Sequence, residues 1–196
     1  MPTENVSSST AAEVLADVVR ARRTSMVVDP DREVDDATVD ALCELAMWAP
    51  NHKRTWPWRF THLRGEARRR FGEGAAADLA AAGTADDAKI AKTRTKYLRT
   101  PSVLVVGCAA HEHPTFHEEN RDAVSAGVQN LLLGATARGL ASFWSTAPMM
   151  SGAHSLEVCG FAPDDRIIAV IYLGYATAET SRDAERPPAA VRHLTT

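Results

Sequence analysis

The sequence predicts a single domain in which helices are mixed with a few buried strands. Two observations carry this. Apolar residues recur at helical spacing in three long segments, near 10–23, 35–49 and 118–139. Between and after them stand two continuous β-branched apolar runs, Val103 to Ala109 and Arg166 to Gly174, and a shorter alternating one at 58–63. The chain has 196 residues and a mass of 21.2 kDa, which suits one domain. A compact monomer of that mass exposes roughly 9,000 Å² and buries about 70% of its unfolded surface, enough for a core without disulfides. The domain is expected over 10–196, with 1–9 (MPTENVSSS) as a disordered polar lead-in.

Each element has a local reason. Thr10-Ala11-Ala12-Glu13 is a capping box, and Val14, Leu15, Val18 and Val19 follow at helical spacing to about Arg23. Asp29-Pro30-Asp31 is a turn. Asp35 or Asp36 caps a second helix with Val39, Leu42, Cys43 and Ala46 on one face, closed by Ala49-Pro50. Trp58 to Leu63 alternates as a strand and stops at Gly65. Residues 66–99 have helical propensity but are rich in alanine and charge and break near Gly83. They are expected to form a mobile excursion, with Arg68, Arg69 and Arg70 on its wet side. The long pattern from Glu118 to Gly139 is apolar on almost every side, so it is expected at the centre, covered on more than one face. Ala141 to Thr146 reads as a short buried strand or loop, and Ser155 to Val158 as a short helix stopped by Gly160. A polar tail with Pro187-Pro188, expected to wrap a surface, ends the chain.

Charge and composition exclude several functions. A formal charge of −3 and a pI near 6.2 argue against a protein that holds nucleic acid or an anionic membrane. No stretch approaches the ~20 apolar residues of a membrane span. Cys43, Cys108 and Cys159 are odd in number and widely spaced, which is neither a disulfide framework nor a zinc pattern. They are expected to pack as small hydrophobes in the reducing cytoplasm. There is no P-loop, G-x-S-x-G, H-E-x-x-H or G-x-G-x-x-G motif. His111, His113 and His117 could suggest a metal, but Pro114 lies between the last two, and a loop of solvated histidines is expected instead.

Three segments carry the candidate chemistry. Arg22-Arg23-Thr24-Ser25 offers two guanidinium forks and two hydroxyls, suited to a phosphate or a polyol. The same cations also complement the dipole at a helix C-terminus, so both readings stand. Ala49 to Phe60 concentrates rings, cations and prolines in one loop, where two tryptophans could cover a flat ligand. The opposing reading, preferred for Trp58, is a hydrophobic plug. In Gly139 to Pro148, small residues would let a ligand approach the backbone closely.

In order and spacing these segments resemble the nitroreductase family of FMN-dependent oxidoreductases, especially its small members. The resemblance rests on Arg22-Arg23-Thr24, the helix ending in Ala49-Pro50, and the strand entry Pro57-Trp58-Arg59-Phe60. It continues through the alanine-rich long helix, the G-L-x-S-x-W hand-over from Gly139 to Trp144, and Tyr172-Leu173-Gly174, covering roughly residues 14–192.

The resemblance implies an α+β homodimer with a central, mainly antiparallel sheet flanked by helices and a flavin at each subunit interface. By position, Arg22 and Arg23 would hold the FMN phosphate and its polar edge, with Thr24 donating a hydroxyl. His52 would reach the flavin from the second subunit. Trp144, Ser145 and Thr146 would pass beside the isoalloxazine, and Arg186, or alternatively Arg182, would close on the phosphate. No catalytic side chain and no metal is expected, because flavin supplies its own redox chemistry. NADH or NADPH would deliver hydride to flavin N5, and a nitroaromatic or quinone-like acceptor would take the electrons. Two alternatives are a binding module of the same fold without turnover, with Trp56 filling the acceptor site, and a flavin enzyme specialised for another oxidation or for flavin breakdown. The chain departs from the family pattern A-P-S-x-x-N-x-Q-P-W at Asn51, Arg54 and Trp56, and carries Met26 where a basic residue is common.

Overall fold

The computed structural model describes residues 10–178 and 185–195. The proposed lead-in, 1–9, and Arg182 lie outside the described residues. Six α-helices and four strands form an α+β fold: α1 (Ala11–Ala21), α2 (Asp36–Met47), β1 (Trp58–Arg64), α3 (Gly65–Ala82), α4 (Asp87–Thr95), β2 (Ser102–Cys108), α5 (Pro114–Ala137), β3 (Leu140–Ser145), α6 (Ala153–Cys159) and β4 (Arg166–Tyr175).

The strands lie in the order β1-β2-β4-β3 and every neighbouring pair is antiparallel. The two continuous apolar runs, β2 and β4, occupy the centre, because only a strand covered on both faces favours apolar residues at every position. Alternation divides their side chains between two cores. Leu104, Val106, Ile171 and Leu173 face α2 and α5, where they meet Leu42, Val128, Leu131 and Trp58. Val103, Val105, Val170 and Tyr172 face the other way, against Phe71, Ala75 and Tyr97.

That second core corrects the expectation for 66–99. The segment is two packed helices and a short 3-10 turn (96–99), not a mobile excursion. Its alanines and glycines allow close approach: a Cβ on Gly72 would stand 2.2 Å from the Arg94 carbonyl oxygen. Phe71 and Tyr97 pack edge to face with centroids 4.7 Å apart. Arg69 and Arg70 are exposed as expected, but Arg68 is half-buried and donates to the Thr100 carbonyl.

The long helix also starts earlier than its apolar pattern suggests. Pro114 stands in the first turn, where its missing N–H costs nothing, and His113 is the N-cap. His117 is therefore helical rather than part of a loop, and its Nδ1 accepts from the His111 backbone N–H at 3.4 Å. The rings of His52, His111 and His113 surround Phe116, with centroids 5.8, 5.2 and 4.6 Å away.

The caps at 10–13 and 35 form as the sequence predicts. The cap of α6 comes from far away instead. Asp78, buried on α3, accepts from the backbone N–H groups of His154 (3.0 Å) and Ser155 (2.9 Å) and from the Ser155 hydroxyl (2.6 Å). Segment 185–195 is exposed throughout and forms neither helix nor strand.

Candidate functional site

β3 is an edge strand, and the segment after α1 lies along its outer side. Thr24 forms a parallel bridge to Ser142, and the Ser25 N–H donates to the Ser142 carbonyl at 3.0 Å. The chain then crosses the end of the sheet, where Val28 bridges Ala176 and the Asp29 N–H donates to the Tyr175 carbonyl at 2.9 Å. Gly174 permits that crossing, since a Cβ there would stand 2.7 Å from the Val28 side chain. The turn after α1 is thereby pinned to the sheet.

A cleft of about 370 Å³ opens at this junction, lined by Arg23, Ser25, Gly139, Ala141, Thr177 and their neighbours. Arg22 caps α1 through its own N–H, which donates to the Val18 carbonyl at 3.1 Å. The Arg23 guanidinium folds back on the helix end: its Nη1 donates to the Arg20 carbonyl and, at 2.9 Å, to that of Arg22. Both readings of this pair therefore have a physical basis here. The cations sit at a helix C-terminus, and one of them lines a cleft.

The Ser142 hydroxyl is buried beside the Thr24 bridge without a hydrogen-bond partner. Strand geometry adds a second unsatisfied edge. Because the Ser142 carbonyl faces away from β4, the N–H and C=O of Trp144, two residues on, face the same open side. Trp144 and Thr146 are exposed and Ser145 is half-buried. The cleft offers Arg23, the Ser25 hydroxyl and small residues, and the outward backbone of Trp144 lies further along the same edge, a set that fits a ligand with a phosphate at one end and a planar heterocycle at the other.

The chain does not bring all the expected residues together. Arg22, Arg23, Thr24 and Trp144 to Thr146 share the β3 edge. His52 lies beyond β1, at the opposite edge of the sheet, so it cannot complete the same site within one chain. Its Nδ1 stands 2.7 Å from Glu119 Oε2. Arg186 is exposed in the tail. Ser142 is the serine of the G-L-x-S-x-W motif, but that its hydroxyl is buried without a partner leaves no signal in a motif; Thr136 and Thr177, which line the cleft, belong to none.

The loop carrying His52 has an unusual backbone. Lys53, Arg54 and Trp56 adopt φ of 60°, 52° and 50°, the left-handed region that costs a non-glycine residue of order 1–3 kcal/mol. Asn51 holds the turn, accepting from the Trp56 N–H at 3.0 Å and donating to Thr55 Oγ1 at 3.0 Å. Thr55 Oγ1 in turn donates to Asn120 Oδ1 of α5. Trp58 is the plug the sequence suggested, packed in the α2–α5 core. Trp56 is not; it is 54% exposed.

The three cysteines carry no redox site. All are free, and burial pushes the thiols of Cys43, Cys108 and Cys159 up to about 12, 11 and 12, so they stay protonated and inert.

Comparison with known proteins agrees with the geometry. The model of the Nitroreductase family matches residues 19–175. The chain is 28% identical over 147 residues to YdjA of Escherichia coli (strain K12), an inferred NAD(P)H nitroreductase, covering 74% of this chain and 80% of that one. The crystal structure of a nitroreductase-like family protein from Bacillus cereus superposes with a TM-score of 0.76 at 25% identity, covering 93% and 94% of the two chains. A nitroreductase from Bacteroides fragilis with bound FMN shares the fold at a TM-score of 0.66 and 17% identity, over 91% and 94% of the chains.

Proposed function

The chain belongs to the nitroreductase family, and from that premise we propose that it is an FMN-dependent NAD(P)H oxidoreductase. The observation that carries this reading is the cleft at the β3 edge, lined by Arg23 and Ser25, with the outward backbone of Trp144 further along the same edge. Arg22 and Arg23 hold the phosphate through charge-assisted bonds, Thr24 adds its hydroxyl, and Arg186 closes from the tail. Trp144, Ser145 and Thr146 present backbone to the ring edge. The bound flavin supplies the redox chemistry; the protein binds it, orients it and limits access to it. A nitroaromatic or quinone-like acceptor is the class that takes the electrons.

The same reading requires a homodimer. Val14 and Leu15 of α1, Leu45 and Trp48 near the end of α2, and Leu133 and Ala137 of α5 line an apolar groove of about 530 Å³. Trp48 is 79% exposed there. A monomer has no use for so large an aromatic in water, whereas a second copy would bury it and bring its own His52 to this chain's β3 edge. No described helix is long and apolar enough to cross a membrane, and three free thiols fit a reducing compartment such as the cytoplasm.

Anaerobic mixing of the purified protein with NADH and with NADPH tests the assignment. Bleaching of the yellow flavin absorbance by either donor, and its return on adding a nitroaromatic or a quinone, is the expected result. A flavin that stays oxidised with both donors identifies a binding module instead.

A further inference from the structure

Building on the flavin-site reading, we propose that the 53–56 turn selects the acceptor: a flat aromatic anion, with Trp56 as its stacking face and Lys53 and Arg54 as its counter-charges. Three observations support this. The backbone of this turn is left-handed at Lys53, Arg54 and Trp56, a conformation that side chains of this size avoid unless the surroundings impose it. The surroundings do impose it. Asn51 fixes the Trp56 amide, and Thr55 ties the turn to Asn120, a side chain only 2% exposed on the central helix. The turn is therefore rigid, and its shape is set from beneath.

What the turn displays faces water. The Trp56 indole is more than half exposed and touches Trp58 only obliquely, with centroids 6.3 Å apart and planes at 51°. Lys53 and Arg54 are exposed, and neither forms an ion pair among the described residues. Arg59 donates to the Trp56 carbonyl at 3.4 Å and adds positive charge, only partly offset by Asp165 at 3.8 Å. An aromatic face held beside unpaired cations is complementary to a ring that carries negative charge on its rim, as a carboxylate or phenolate does. His52 lies one residue before this turn, so whatever brings His52 to a flavin brings Trp56 with it.

The probes are 4-nitrobenzoate and its neutral counterpart 4-nitrobenzyl alcohol, bound without reductant and measured by equilibrium dialysis. The FMN content of each sample is recorded alongside. Wild-type protein is expected to bind the benzoate at least about tenfold tighter than the alcohol, as charge-assisted bonds to one carboxylate allow. Replacing Lys53 and Arg54 together with alanine abolishes that preference and leaves the alcohol's affinity unchanged. Trp56→Ala weakens both probes about tenfold, and Trp56→Phe restores most of the loss. Equal wild-type affinities for the two probes overturn the proposal. So does a Trp56→Ala protein that binds both probes normally but dimerises less, which would make Trp56 an interface residue. A colourless protein that keeps the charge preference refutes the flavin reading alone, and a flavin-loaded protein without the preference refutes this one alone.

Discussion

Arg22 and Arg23 show why position outweighs charge count. As helix-end cations each contributes at most about 1 kcal/mol, and salt screens that. As ligands for a dianionic phosphate, each forms charge-assisted bonds worth about 1.5–3 kcal/mol. Replacing both with alanine is therefore expected to cut FMN affinity by about a hundredfold or more while lowering the melting temperature by only a few degrees. Flavin titration paired with thermal unfolding measures the two effects separately, and unchanged flavin affinity would place the phosphate elsewhere. Gly127 makes the opposite kind of prediction. A Cβ there would stand 2.6 Å from both the Ala46 carbonyl oxygen and Trp58 Nε1. Gly127→Ala should cost about 1–3 kcal/mol in urea unfolding, because neither neighbour can move without disturbing the α2–α5 packing. The arginine pair was legible in the sequence because two guanidiniums and two hydroxyls fall within four residues. The orphaned Ser142 hydroxyl was not, because its meaning depends on which edge of the sheet it occupies.

At the scale of elements, the apolar pattern located α1, α2, α5 and the strands β1, β2 and β4 to within a few residues, and left β3 open between strand and loop, since burial on one or two faces is written directly into the pattern. It failed for 66–99, where alanine and glycine pack by closeness rather than by bulk, so Phe71, Leu79 and Tyr97 stood out too little to announce a second core. The partnership between Asp78 and α6 was equally invisible, with Asp78 and His154 76 positions apart. It has a testable pH dependence. Burial raises the Asp78 pKa, but hydrogen bonds from the Ser155 and His154 side chains and backbones outweigh it and hold the carboxyl below its usual value. A depressed folded-state pKa means the stabilisation is complete above the unfolded value near 4 and is lost as pH falls through the folded one. Unfolding free energy should therefore decline below about pH 4, and Asp78→Asn should flatten part of that decline. It should also cost about 1–3 kcal/mol at neutral pH, because a neutral amide cannot accept all four bonds. A chemical-denaturation series across pH in both proteins measures this, and identical pH slopes would show that Asp78 does not govern it.

For the whole molecule, the single domain read from 196 residues stands only half-explained by one chain. The exposed 185–195 segment and the apolar groove of α1, α2 and α5 are surfaces that one chain leaves uncovered. A dimer of twice the 21.2 kDa chain mass is the expected species in sedimentation equilibrium. Trp48→Glu, which places a charge in the groove, should shift it to monomer and release flavin together, because the two edges of the sheet then no longer meet. A Trp48→Glu monomer that keeps its flavin would show that the site is complete within one chain. The proposed function and the proposed dimer rest on one premise, that this fold holds FMN at the β3 edge. The measurement that bears on it most directly is the flavin content of the purified protein, by absorbance and by FMN released on denaturation. A yellow protein with close to one FMN per chain is the expected result. A colourless protein that takes up no added FMN would contradict it.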